Sequence, residues 1–106
     1  MKNKEMTKEM LIQLITNKRG SFANRIMCLD GFTLSVQASR HHYCKPREDS
    51  TYEKPVEYTH VEVGFAKRFD DDLLKYSEEP DTLETVYPFT PIDVVVGVIN
   101  KHGWVE

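Results

Sequence analysis

The chain has 106 residues, a length that supports one hydrophobic core over 1–106 and excludes a second domain able to fold by itself. With 40% hydrophobic residues, 29% charged residues and a net charge of −3, it has an ordinary globular composition. It lacks a basic footprint that would demand nucleic acid, and no run approaches the roughly 18–20 apolar residues of a membrane span.

The first predicted element is a helix over Lys8–Arg19. Thr7 is its N-cap, Met6 and Leu11 hold the positions of a hydrophobic staple, and Met10, Leu11, Leu14 and Ile15 form one apolar stripe. Lys18 and Arg19 suit the negative end of the helix dipole, and Gly20 can close it in the left-handed conformation. Asp30-Gly31 then sits between two alternating runs and predicts a two-residue hairpin turn. That register sets Leu29 opposite Phe32, Met27 opposite Leu34 and Arg25 opposite Val36 on a core-facing side, with Cys28, Thr33 and Ser35 on the other.

From Ser39 to Pro55 the composition is polar, with Pro46 and Pro55, and reads as a long connection or a strand running out into a loop. Glu57 to Phe65 alternates as a third strand, with Val61, Val63 and Phe65 on one face and His60, Glu62 and Gly64 on the other. Asp71 to Tyr76 suits a short helix with aspartates at its positive end, and Val86 to Phe89 a brief edge strand interrupted by Pro88. Valines 94, 95, 96 and 98 prefer strands, yet Thr90 as N-cap, Pro91 at the first helical position and Asp93 after it mark a helix start. Its apolar stripe is Ile92, Val95, Val96 and Ile99, and Gly103 would end it, with Trp104 folding back on Ile99. The expected fold is α+β: a three- to four-stranded antiparallel sheet with an N-terminal and a C-terminal helix packed on one face.

Met1 to Glu9 is polar and lysine-rich, which predicts no secretory leader. The expectation is therefore two free thiols, Cys28 and Cys44, in a reduced cytoplasmic compartment. The densest group of reactive side chains is Arg40 to Arg47. His42, Cys44 and His60, with His41 or Cys28, offer the donors zinc would need, but their spacing follows no established zinc pattern. Lys45, Arg47 and an imidazolium could lower the Cys44 thiol pKa, yet the sequence names no acid to orient a histidine base and no oxyanion nest. No catalytic residue, metal ligand or cofactor is assigned. Arg40, Tyr43, Lys45, Arg47 and Tyr52 interleave basic and aromatic groups as in a nucleic-acid contact, but Glu48, Asp49 and Glu53 cancel much of that field.

Charge is unevenly distributed. Residues 1–54 carry ten Lys or Arg against six Asp or Glu, and residues 55–106 carry four against eleven. Asp70, Asp71, Asp72, Glu78, Glu79, Asp81 and Glu84 face only Lys75 in their segment, with Leu73, Leu74, Tyr76 and Leu83 among them. Such a stretch is either a solvated loop with its leucines in the core or a surface that docks on a lysine and arginine groove, where its carboxylates stand where phosphates would lie.

The strings Ser35-Val36-Gln37-Ala38, Tyr43-Cys44-Lys45-Pro46-Arg47, Val61-Glu62-Val63-Gly64-Phe65, Thr85-Val86-Tyr87 and Lys101-His102-Gly103 resemble those of small accessory proteins of tailed bacteriophages and prophages. That resemblance implies a setting, host machinery bound and disabled by a phage protein, with CRISPR effectors and other defence complexes among the targets; it implies no catalytic residue. The expected function is non-enzymatic inhibition of a host defence or nucleic-acid-handling complex in the host cytoplasm. Asp70, Asp71, Asp72, Glu78 and Glu79 would supply the field, with Tyr76 as an anchor and Tyr43 and Arg47 as a second contact region. The partner would be a host protein with a basic groove, in preference to nucleic acid or membrane. Two other classes stay open: a small thiol- or zinc-dependent enzyme centred on His42, Cys44 and His60, and a homo-oligomeric structural or regulatory module joined through a sheet edge or Trp104.

Overall fold

A computed structural model describes residues 5–17 and 25–104. In chain order its elements are α1 (Lys8–Thr16), β1 (Arg25–Met27), β2 (Thr33–Gln37), β3 (His60–Gly64), α2 (Asp71–Leu74), β4 (Val86–Pro91) and α3 (Ile92–Lys101). The four strands form one antiparallel sheet in the order β1-β2-β3-β4, which with the N- and C-terminal helices makes an α+β arrangement. No described helix is long and apolar enough to cross a membrane.

Helix α1 starts as its residues dictate: the Thr7 hydroxyl accepts from the Met10 amide at 3.1 Å, and Met6 and Leu11 are both buried. Its buried stripe is Leu11 and Ile15; Leu14, expected there, points to solvent. The expected C-terminal end, Lys18 to Gly20, lies outside the described residues. Asn100 of α3 ties the start of α1 down, accepting from the Met6 amide at 2.7 Å and donating to the Met6 carbonyl at 3.0 Å.

The hairpin departs from expectation by one residue. Arg25 pairs with Ser35, Ile26 with Leu34 and Met27 with Thr33, so the turn holds three residues, Leu29 to Gly31. The Gly31 amide donates to the Cys28 carbonyl, the Cys28 amide to the Phe32 carbonyl, and Gly31 takes φ +89°, as in a type I turn closed by a left-handed residue. Because side chains alternate, a slip of one inverts a strand. Ile26 and Cys28 face the core, whereas Arg25, Met27 and Leu29 are exposed.

Strand β3 begins at His60, later than expected, and the Thr59 amide before it donates to the Lys45 carbonyl. Val61 and Val63 are buried, but Phe65 has φ +54° and is 71% exposed, so it leaves the face expected for it. The connection from Ala38 to Thr59 is built around two buried groups. The Tyr58 hydroxyl donates to the Glu48 carbonyl at 2.5 Å and lies 3.4 Å from that of Ala38; the Cys44 thiol lies 3.2 Å from the Ser39 carbonyl. Burial above all pushes the Tyr58 pKa up to about 12.

Strand β4 runs to Pro91 and passes into α3 without a loop. Thr90 is consequently not the N-cap: it pairs with Val61, and its hydroxyl turns back to the Tyr87 carbonyl. Pro91 holds the cap position with no side-chain cap bond, and the buried stripe is Ile92, Val95, Val98 and Ile99, with Val98 in the place expected for Val96. Gly103 ends the helix at φ +80°, but Trp104 goes on to bridge Cys28 beside β1.

A polar network fastens these pieces together. His102, capping α3, directs Nδ1 to Asp30 Oδ2 at 2.6 Å and Nε2 to Asp70 Oδ2 at 2.7 Å. The ring stacks on Phe32 with centroids 4.1 Å apart. Asp70, whose side chain is 2% exposed, also meets Lys101 Nζ at 2.9 Å and, as the N-cap of α2, accepts from the Asp72 amide. Burial pushes the Asp70 pKa up, but the bonds from His102, Lys101 and the Asp72 amide outweigh it and hold the carboxyl below its ordinary value. Asp30 is lowered too, chiefly by His102 and then by the Phe32 amide.

A carboxyl held low stabilises the fold above its unfolded pKa, and that contribution disappears as pH falls through the folded value. Asp70→Asn keeps the cap geometry and removes the charge. It should cost about 1–3 kcal/mol at neutral pH, and the gap from wild type, followed by denaturant titration, should close progressively below about pH 4. Gly97 lies mid-helix in α3, where a Cβ would meet nothing within 4 Å. Gly97→Ala should therefore raise stability by about 0.5–1 kcal/mol in the same assay.

Candidate functional site

The face of the sheet turned away from α1 and α3 carries a groove of about 930 Å³. Its floor follows from the strand register. Arg25, Gly64 and Val86 line it from β1, β3 and β4, joined in one rung through the buried Ser35 of β2, and Met27 and Thr33 line it from the next rung. One wall is Phe65, Ala66 and Lys67, held against β2 by the Lys67 amide donating to the Thr33 carbonyl. The other is the segment between α2 and β4, which contributes Glu78, Glu79, Leu83, Glu84 and Thr85.

That acidic wall is fastened by its own backbone. The Glu78 amide donates to the Val86 carbonyl, the Glu79 amide meets the Ser77 and Thr85 hydroxyls at 3.1 Å each, and the Glu84 amide meets the Thr82 hydroxyl at 3.0 Å. With these amides bonded within the segment and to β4, Glu78, Glu79 and Glu84 are exposed. Positive charge lies toward the opposite end, at Arg25 on β1 and at Lys67 of the first wall beside β2. Met27 and Val86 on the floor and Phe65 and Leu83 on the walls thus give the groove an apolar lining, with opposite charges toward its two ends.

The residues singled out in the acidic segment do not share one environment. Asp70 is buried in the network with His102, and Asp72 is bound by Lys101 at 2.9 Å. Asp71 is exposed on α2. Tyr76 is half-buried against the core, with the Lys75 ammonium 5.5 Å from its ring centroid. Of the five acids expected to form the field, Glu78 and Glu79 line the groove.

Tyr43 and Arg47 lie together but outside it. The Arg47 guanidinium is 5.6 Å from the Tyr43 ring centroid, and Tyr43 packs at 5.8 Å against Phe89. Phe89 belongs to a β-bulge between the Val61 and Val63 rungs and takes φ +51°, with its amide donating to the Tyr43 carbonyl.

The side chains of the enzyme reading are occupied differently. Cys44 is buried, its thiol directed at the Ser39 and Pro46 carbonyls, and burial raises its pKa, the opposite of the change that activates a nucleophile. The Nδ1 of His42 pairs with the Ser39 hydroxyl at 2.7 Å and that of His60 with the Thr59 hydroxyl at 2.9 Å. Among the described residues no three His, Cys, Asp or Glu side chains are grouped to hold a metal ion. Cys28 is buried and its pKa is raised, by burial first and Asp30 second.

Sequence reasoning missed Arg25, Met27, Gly64, Phe65 and Lys67 as parts of one site. The available signal was Gly64, a glycine inside a run of strand formers, a position that often marks close approach by another group. Comparison of the chain with protein-family models, with curated proteins and with solved structures finds no match.

Proposed function

We propose that the protein is a non-enzymatic binding protein that engages a basic surface of a partner protein through the acidic wall of its groove. The observation that carries this reading is the juxtaposition of three exposed glutamates, Glu78, Glu79 and Glu84, with the apolar lining of the groove, Met27, Phe65, Leu83 and Val86. Apolar contact supplies affinity in such interfaces, and charge steers encounter and selects partners. Asp70 is committed to the fold, so the field of this proposal is shifted from Asp70–Asp72 toward Glu78, Glu79 and Glu84, with Asp71 as a further exposed carboxylate. Tyr43 and Arg47, with Phe89, form a second contact region in this proposal.

The narrower reading is a phage-type inhibitor of a host defence or nucleic-acid-handling complex, such as a CRISPR effector, acting in the host cytoplasm. It is supported by the resemblance of short strings and by the exposed carboxylates of Glu78, Glu79 and Glu84, which could stand where phosphates would lie. The burial of Cys44 favours binding over thiol chemistry.

Affinity capture from bacterial lysate, with a Glu78→Ala/Glu79→Ala/Glu84→Ala variant beside wild type, tests the proposal. A stoichiometric partner should be recovered by wild type and depleted at least tenfold with the variant. With that partner purified, the variant should associate more slowly and show a flatter salt dependence, while its melting temperature stays within a few degrees of wild type. Undiminished capture and an unchanged association rate would overturn the assignment of this surface.

A further inference from the structure

Gly64 has no conformational reason to be glycine. It sits in the interior strand β3, paired with Ser35 on one side and Val86 on the other, and does not adopt a left-handed φ. A Cβ built there would meet nothing within 4 Å. In a central strand a β-branched residue would pack and pair better, and glycine weakens the strand. What glycine provides here is space, at the middle of the groove floor.

The geometry points to an occupant, on the reading of this groove as a partner-binding site: we infer that it takes an extended peptide segment lying across the strands, with a bulky apolar side chain seated over Gly64. The size follows from the sheet. Arg25 on β1 and the glutamates beside β4 are separated by three strand spacings, about 14 Å, which an extended chain covers in about four residues. A volume of about 930 Å³ lies toward the upper end of the usual range of ligand sites, about 300–1,000 Å³.

Chemistry fixes the polarity. Glu78, Glu79 and Glu84 call for a lysine or arginine of the peptide at the β4 end, and Arg25 calls for an aspartate, a glutamate or a terminal carboxylate at the β1 end. Between them, Met27, Phe65, Leu83 and Val86 line the path of the apolar side chain. Acid at one end disfavours a nucleic-acid strand, whose phosphates are negative along their whole length. Because the segment crosses the strands, recognition runs through side chains and not through main-chain addition at a sheet edge.

The test is selection of a randomised hexapeptide library on the immobilised full-length chain, followed by titration of the selected peptide, fluorescently labelled, into wild type, Gly64→Val and Arg25→Glu. Selection should enrich a basic and an acidic residue flanking a large apolar one. Gly64→Val should weaken binding at least tenfold while its melting temperature holds or rises. Arg25→Glu should also weaken it, and a peptide whose acidic residue is replaced by lysine should recover at least part of the loss. No enriched pattern, or equal affinity for Gly64→Val and wild type, would overturn the inference. If the glutamate variant loses a captured partner while Gly64→Val retains it, the acidic surface stands and the peptide subsite fails.

Discussion

The Asp30–His102–Asp70 arrangement is the constraint around which this small fold is organised. Asp30 belongs to the hairpin turn, Asp70 begins α2, and His102 ends α3, so one imidazole joins three segments distant in sequence. Each partner satisfies another's need. Asp70 requires donors because it is buried, and His102 and Lys101 supply them. Stacking on Phe32 fixes the plane of the ring that reaches both carboxylates. Removing one member strands the others, which makes such a cluster unforgiving even where its net contribution is small.

The acidic groove depends on that organisation at one remove. Fixing Asp70 sets the start of α2, and α2 sets where the chain departs for the opposite face of the sheet. The glutamates can then project because their own amides are satisfied by Val86, Ser77, Thr85 and Thr82. One run of acidic residues therefore does two jobs, its first member tying the fold together and its later members facing the groove.

Much of the architecture was legible in the residues. Thr7 with Met6 and Leu11 marks the start of α1, the alternation around Val61 and Val63 marks the central strand, and Gly103 marks the end of α3. The hairpin register was not legible, because Asp-Gly serves two- and three-residue turns alike. Tertiary contacts on this hairpin agree with the longer turn: the Leu29 amide donates to Gly103 and the Cys28 thiol approaches the Ile99 carbonyl. The same applies to the site. Glu78 and Glu79 were visible as charge, but Arg25 and Gly64 join them only through a register that local pattern could not supply. Thr90 looked like a cap because the sequence does not show that β4 runs straight into α3.

The bulge at Phe89 has a consequence for assembly. β4 is the edge strand beyond β3, and a bare edge would template pairing with another chain. Here Pro88 has no amide hydrogen to offer, the Phe89 amide is taken by Tyr43, and the Val86 carbonyl is taken by Glu78. An incoming strand would have to displace the Glu78 contact and bridge a gap at the proline. Aromatic side chains at this margin thus stand beside a strand whose outward ladder is interrupted at Val86 and Pro88.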